Sequence, residues 1–177
     1  MKILSLMALC TFVLCVSCEK DDDTPVNPKD QLPPATQTGE NTFGCLLDGE
    51  AFLPGPGPLT LDCVYQFVNG DYYFALQANK RDEQNNSKLI GCSTEKLEIE
   101  EGQIYKLMEG VEGNAYGSYF FNLERFRTSS LNSGEMYISK LDMEKNIVSG
   151  TFWYDVEDQD GNIHQVRDGR FDMTFSK

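Results

Sequence analysis

Residues 59–177 contain no proline, and along them apolar side chains alternate with polar ones between short turn signals. Proline cannot donate to a β-ladder, so its absence over this length is compatible with many continuous strands. No segment keeps a 3.6-residue apolar period over three turns, which disfavours amphipathic helices. The chain is therefore expected to fold as an all-β domain.

Asp48-Gly49, Asn69-Gly70 and Asp160-Gly161 predict tight turns, because such pairs tolerate the positive φ that two-residue hairpins require. About ten strands at short spacing favour an antiparallel β-sandwich or a barrel-like closed sheet, and periodicity leaves both open. The predicted strands are 42–48, 50–53, 59–68, 71–79, 88–94, 103–108, 116–125, 134–143, 147–157, 162–167 and 169–176.

Alternation also assigns a core face and a wetter face to each strand. On the last strand the wetter face carries Arg170, Asp172 and Thr174. The expected core residues of the better-defined strands are Phe74, Leu76, Ala78, Val148, Phe152, Tyr154, Val156, Phe171, Met173 and Phe175.

The N-terminus has the pattern of an export signal. Residues 1–17 combine Lys2 with an apolar stretch that is too short to span a bilayer. The sequence Cys15-Val16-Ser17-Cys18 resembles the lipobox of bacterial lipoproteins, with cysteine where leucine is usual. The resemblance implies that Cys18 carries fatty acyl chains such as palmitate after cleavage; an ordinary secretory signal is the alternative.

The residues after Cys18 refine the expected location. Lys20, Asp21, Asp22 and Asp23 resemble the export signal of surface lipoproteins in Bacteroidota, which implies an outer-membrane protein that faces the cell exterior. Residues 18–41 include four prolines and predict a lipidated, disordered tether, so that 42–177 form a single β domain.

Three further segments carry a family resemblance: Thr42-Phe43-Gly44-Cys45, the strand 147–154, and Asp168-Gly169-Arg170-Phe171-Asp172. Over roughly residues 33–177 the chain resembles an uncharacterised lipoprotein family of Bacteroidota. The resemblance implies a β fold and the same location. It implies no activity and no catalytic residue.

Charge and composition exclude several classes of function. The 15 basic against 28 acidic side chains give a net charge of −13, which disfavours nucleic acid as a partner. His164 is the single histidine, which disfavours multi-histidine metal sites, and no Gly-x-Ser-x-Gly motif is present. The acidic stretch 155–161 departs from the EF-hand pattern and predicts a solvated hairpin tip. We assign no catalytic residue, metal site or cofactor.

Three cysteines remain in the predicted domain: Cys45, Cys63 and Cys92. All three alternate with expected core positions. They are either buried thiols that act as small apolar side chains, or one disulfide and one free thiol, and the sequence leaves both open.

The candidate ligand-binding residues are aromatic. Trp153 falls on the wetter face of its strand, and Tyr73 and Tyr137 have similar parity. Aromatic rings displayed among polar groups can stack on a glycan or a protein ligand; the alternative is that another layer covers this face and makes Trp153 part of the core.

The expected function is that of a surface-anchored, non-catalytic β module. It would bind an extracellular partner or contribute to the cell envelope. A glycan hydrolase is the alternative, although 28 acidic side chains make any single carboxylate pair uninformative.

Overall fold

The structure is a computed structural model, and it describes residues 27–177. The predicted signal peptide, the expected lipid attachment site Cys18, and the export residues Lys20, Asp21, Asp22 and Asp23 lie outside the described residues.

The all-β prediction is confirmed. A 3₁₀-helix, Pro28–Gln31, precedes eleven strands. The strands are β1 (Thr42–Leu47), β2 (Glu50–Phe52), β3 (Leu61–Val68), β4 (Asp71–Arg81), β5 (Ser87–Thr94), β6 (Ile104–Leu107), β7 (Ala115–Phe121), β8 (Glu124–Arg127), β9 (Gly134–Asp142), β10 (Ile147–Glu157) and β11 (Ile163–Thr174).

All eleven strands belong to one large mixed sheet. Its order is β2-β1-β11-β10-β9-β6-β7-β5-β4-β3, with β8 paired to β7. The pairings are antiparallel apart from β6 with β7. The sheet is not closed; β3 meets the end of the chain only at an isolated parallel bridge between Val64 and Ser176. Neither the sandwich nor the closed barrel of the sequence prediction is confirmed.

Two strand assignments differ from the prediction. The expected strand 116–125 is divided into β7 and β8 by a turn at Asn122, whose φ is 54°. Conversely, the expected strands 162–167 and 169–176 form the single strand β11. Asp168, with a φ of 50°, lies in a β-bulge where the register between β10 and β11 shifts. A bulge keeps the strand continuous but moves the following side chains to the other face.

The core lies inside the curl of this sheet. The Tyr154 hydroxyl on β10 donates to the Ser118 carbonyl oxygen on β7 at 2.7 Å, and the rings of Phe74 and Phe171 are 6.3 Å apart. These contacts join strands that are far apart in the sheet order. The predicted core residues are confirmed as buried: Phe74, Leu76, Ala78, Val148, Phe152, Tyr154, Val156, Phe171, Met173 and Phe175.

Residues 27–41 pack on the outside of the sheet, so the folded unit reaches back before the expected boundary at Thr42. Leu32 is buried, and Thr36 donates its hydroxyl to Asp172 at 2.7 Å. The amides of Thr38, Gly39 and Glu40 donate to the same carboxylate.

The expectation that Asp172 lies on a wetter face is therefore wrong. Its side chain does point away from the core, but residues 36–40 cover it, and Asp172 is fully buried. Ser149, its partner on β10, also donates to it at 2.7 Å. A buried carboxylate needs such donors because it has lost its water.

Candidate functional site

Trp153 and Tyr137 lie together on the outer face of neighbouring strands. Tyr137 on β9 is opposite Thr151 on β10, and Trp153 is two residues further along the same face. Trp153 is 40% exposed and Tyr137 is 39% exposed. Residues 36–40 cover this outer face near Asp172 but leave Trp153 exposed, so Trp153 is not a core residue.

A third apolar side chain extends this surface. Ile104 on β6 is opposite Tyr137 on β9 and is 64% exposed. Direct cross-strand partners such as Ile104 and Tyr137 lie ~5 Å apart at Cβ, and diagonal ones such as Tyr137 and Trp153 lie ~7 Å apart, so the three residues are neighbours. We call Trp153 and Tyr137, together with the adjoining Ile104, the outer aromatic row.

An arginine fixes one side of the tryptophan. The Arg167 guanidinium lies 5.5 Å from the Trp153 ring, within the range of a cation–π contact. It donates to the Asp155 carboxylate at 2.6 Å and to the Tyr154 carbonyl oxygen at 3.0 Å. The bulge at Asp168 places Arg167 here, because it adds a residue to β11 opposite Trp153.

The outer aromatic row lines a shallow depression of about 440 Å³. Its polar wall contains the charged side chains of Glu135, Asp168 and Arg170, and Ala35 of the N-terminal segment closes one side. Lys29 donates to Asp168 at 2.6 Å, which ties the N-terminal segment to this wall. Aromatic faces beside charged hydrogen-bonding groups suit a ligand with both apolar faces and hydroxyl or amide groups.

The structure does not bring the third predicted residue to this site. Tyr73 lies on β4 opposite Gln66, and four strands separate β4 from β10 in the sheet order. Parity alone could not show this, because all three aromatic residues share an outward direction while their separation depends on strand order.

A second concave region, which the sequence analysis missed, lies at one end of the curled sheet. It is a cleft of about 500 Å³, between the β1–β2 and β10–β11 turns on one side and the ends of β4, β5 and β7 on the other. Buried Phe52, Tyr119 and Phe126 form its floor. Burial raises the pKa of Tyr119 to about 12, and the negative charge of Asp48 adds to the rise. We call this region the end cleft.

His164 lies on the wall of the end cleft between two carboxylates. Its Nδ1 is 2.8 Å from Asp48, and its Nε2 is 3.4 Å from Asp158. Both carboxylates also accept other hydrogen bonds: Asp48 accepts from the backbone amide of Gln165 on β11, and Asp158 accepts from the side chain and backbone amide of Asn162 in its own turn. The hydrogen bonds from Asn162 hold the pKa of Asp158 below its usual range.

Two lysines form the opposite wall. Lys80 and Lys88 are direct cross-strand partners on β4 and β5. The Lys80 ammonium lies 4.9 Å from the Phe52 ring and donates to the Ala51 carbonyl oxygen at 3.2 Å. Burial, followed by the positive charge of Lys88, lowers the pKa of Lys80.

The three cysteines are free and buried. Of the two readings that the sequence left open, the structure therefore has buried thiols. Burial raises the pKa of Cys45, Cys63 and Cys92 far above the usual range, so none is a thiolate nucleophile.

Two other kinds of feature are absent from residues 27–177. Within that range no three His, Cys, Asp or Glu side chains are grouped so as to hold a metal ion. The helical structure in the same residues includes no helix of the length and apolarity needed to cross a membrane.

Comparisons of the chain with protein-family models, with curated proteins and with solved structures gave no match.

Proposed function

We propose that this protein is a lipid-anchored, non-catalytic module of the cell surface that binds an extracellular glycan with its outer aromatic row. The observation that carries the proposal is the exposure of the single tryptophan beside Tyr137 in a depression with a charged wall. An indole that contributes little to the core has a large stacking surface available for a ligand.

The chemistry of the depression favours a sugar. Pyranose rings have apolar faces that pack on aromatic side chains, and their hydroxyl groups bond to charged side chains at the edge. Trp153 and Tyr137 supply the rings, and Glu135, Asp168 and Arg170 supply the polar groups. The cation–π contact with Arg167 restrains the indole, which lowers the entropy lost on binding.

The anchor is proposed from the lipobox-like sequence at Cys18 and from Lys20 and Asp21–Asp23. Asn27 is nine positions after Cys18, so the two residues are at most ~30 Å apart when the chain is extended. The described fold would therefore lie close to the membrane surface, with the depression exposed to polymers outside the cell.

The binding experiment uses the mature chain with Cys18→Ser on an array of extracellular polysaccharides. Trp153→Ala is expected to weaken binding of any glycan that is retained about threefold to tenfold, since one aromatic contact contributes ~0.5–1.5 kcal/mol. Binding should also change the fluorescence of Trp153, the only tryptophan. Tyr73→Ala is the matched control, because it removes an outward aromatic residue from a remote strand.

Equal affinities of the Trp153→Ala variant and the parent would contradict the assignment of the site. Thermal unfolding of both proteins shows whether a loss of affinity reflects a loss of fold instead.

The anchoring experiment uses whole cells. Cys18→Ala is expected to move the protein from the membrane fraction to the soluble fraction, because acyl chains supply the membrane affinity. Added protease should degrade the wild-type protein on intact cells if it faces outward. A Cys18→Ala protein that still partitions fully into detergent would refute the anchor, and protection of the wild type from protease would refute the surface location.

A further inference from the structure

The end cleft combines an apolar floor with a pair of like charges. Lys80 and Lys88 are directly opposite each other on β4 and β5, and both line the cleft. Like charges in this position repel each other and destabilise a sheet. The chain has 28 acidic side chains, yet it places two lysines opposite each other at a partly buried position. A bound anion would reduce the repulsion between their ammonium groups.

The carboxylates near the cleft neutralise only one lysine of this pair. Among the described residues, no carboxylate lies within 4.0 Å of the Lys80 ammonium, and its hydrogen bond goes to the Ala51 carbonyl oxygen. Lys88 has one acidic neighbour, Asp82, at 3.6 Å. Across the cleft, Asp48 and Asp158 both contact His164, and they accept hydrogen bonds from the backbone amides of Gln165 and Asn162, respectively.

The apolar side chains beside the lysines provide a place for a hydrocarbon group. Lys80 lies over the ring of Phe52, and Lys88 lies 5.8 Å from the ring of Phe121. Phe126 and Tyr119 continue this floor towards His164. A ligand whose anionic group lies at the lysines would place its hydrocarbon tail on these rings. Burial of the tail contributes ~25 cal/mol to binding per Å² of apolar surface.

The outer part of the cleft limits the charge of the ligand. Glu50, Glu124 and Asp160 also line it, so a polyanion would meet repulsion there. A ligand with one negative charge can place that charge at the lysines. A second charge on the ligand would lie among these carboxylates.

We infer that the end cleft is a second binding site, separate from the outer aromatic row, and that it takes an amphiphilic monocarboxylate. The carboxylate would lie between Lys80 and Lys88, and the tail would lie on Phe52, Phe121 and Phe126. The cleft volume of about 500 Å³ is sufficient for an acid of medium chain length.

The test is calorimetric titration of the mature Cys18→Ser chain with decanoate below its micelle concentration. One equivalent of decanoate is expected to bind. Decanol, with the same tail and no charge, and decanedioate, with a second carboxylate, are each expected to bind at least about tenfold more weakly.

Lys80→Met is the decisive variant, because it keeps an apolar stem over Phe52 and removes the charge. We expect it to weaken decanoate binding about tenfold or more and to raise the thermal midpoint of the free protein, since the repulsion from Lys88 is gone. A lysine with a purely structural role would not produce opposite changes in affinity and stability. Lys140→Met is the control, because Lys140 pairs with Glu101 away from the cleft.

Three results would overturn the inference: no heat of binding with decanoate, equal affinities for decanoate and decanol, or unchanged affinity in a folded Lys80→Met protein. Lys88→Met provides a second removal of charge if Lys80→Met does not fold. The glycan experiment is independent, since Trp153 does not line this cleft.

Discussion

The two halves of β11 place polar side chains in opposite environments. Near its end, Asp172 points away from the core and is fully buried, with hydrogen bonds from Ser149 and from residues 36–40. Near its start, His164 shares the inward face with Val166 but remains partly exposed, because it lies at the open end of the sheet. Burial in this protein therefore depends on what covers a side chain and not only on the face from which it projects.

The two halves should also differ in their contributions to stability. Within residues 27–177 no cationic side chain pairs with the carboxylate of Asp172, which depends on hydrogen bonds in a buried site. The contacts of His164 with Asp48 and Asp158 are open to solvent and to salt. Loss of a hydrogen-bond partner should therefore lower the free energy of unfolding strongly at Asp172 and only slightly at His164.

The largest effect is expected from Asp172→Asn. The substituted amide brings N–H groups against N–H and O–H donors, so several hydrogen bonds to a charged acceptor are lost. We expect the free energy of unfolding to fall by ~3 kcal/mol or more, measured by denaturant titration. Asp168→Asn is the matched control on the same strand: its ion pair with Lys29 is partly exposed, and asparagine tolerates its positive φ. Equal losses in the two variants would refute the contrast.

Acid is the next test of the buried half. Burial alone would raise the pKa of Asp172, but hydrogen bonds from Ser149, Thr36 and the amides of Thr38 and Gly39 lower it from 3.8 to about 2. Because the folded value is the lower one, this stabilisation is complete above pH ~4 and is lost as the pH falls towards 2. The loss is ~2 kcal/mol.

Denaturant titrations between pH 5 and 2 measure this loss. The Asp172→Asn protein should lack that part of the acid dependence. An identical pH slope in the variant and the parent would show that Asp172 is not its source.

Single donors to Asp172 should have smaller effects. Ser149→Ala and Thr36→Val each remove one hydroxyl donor and leave the other hydrogen bonds in place. Each is expected to destabilise the fold by ~1 kcal/mol. In a double-mutant cycle with Asp172→Asn the effects should not add, because the residues share one acceptor. Additive losses would mean that the hydroxyl groups act through other contacts.

The smallest effect is expected at the open half. His164→Gln removes the contacts with Asp48 and Asp158, but both carboxylates keep their hydrogen bonds from backbone amides. The free energy of unfolding should change by less than ~1 kcal/mol. A loss as large as that of Asp172→Asn would show that the end cleft is as tightly coupled to the fold as the buried carboxylate.

Several features follow from the sequence alone because local chemistry decides them. Asp48-Gly49 and Asn69-Gly70 adopt the positive φ values that their turn signals predict. The alternation in β10 correctly separates Val148, Phe152 and Tyr154 from exposed Trp153. Side chains alternate between the two faces of any strand, so these assignments need no knowledge of neighbouring strands.

The sites depended on contacts between distant parts of the chain. Trp153 and Tyr137 are close because β10 pairs with β9. Tyr73 has the same parity, but four strands lie between its strand, β4, and β10. The end cleft exists because strand ends and turns from the whole length of the chain meet at one end of the curled sheet.

Local sequence patterns predict the strand-forming character of the chain, most of its turns and the inward face of its best-defined strands. The strand order, the covering of Asp172 by residues 36–40 and the contact of His164 with Asp48 arise from tertiary packing. The two groups of features differ in the range of the interactions that produce them. Turn geometry and side-chain alternation act over a few residues, whereas sheet order and surface coverage depend on long-range packing of the whole chain.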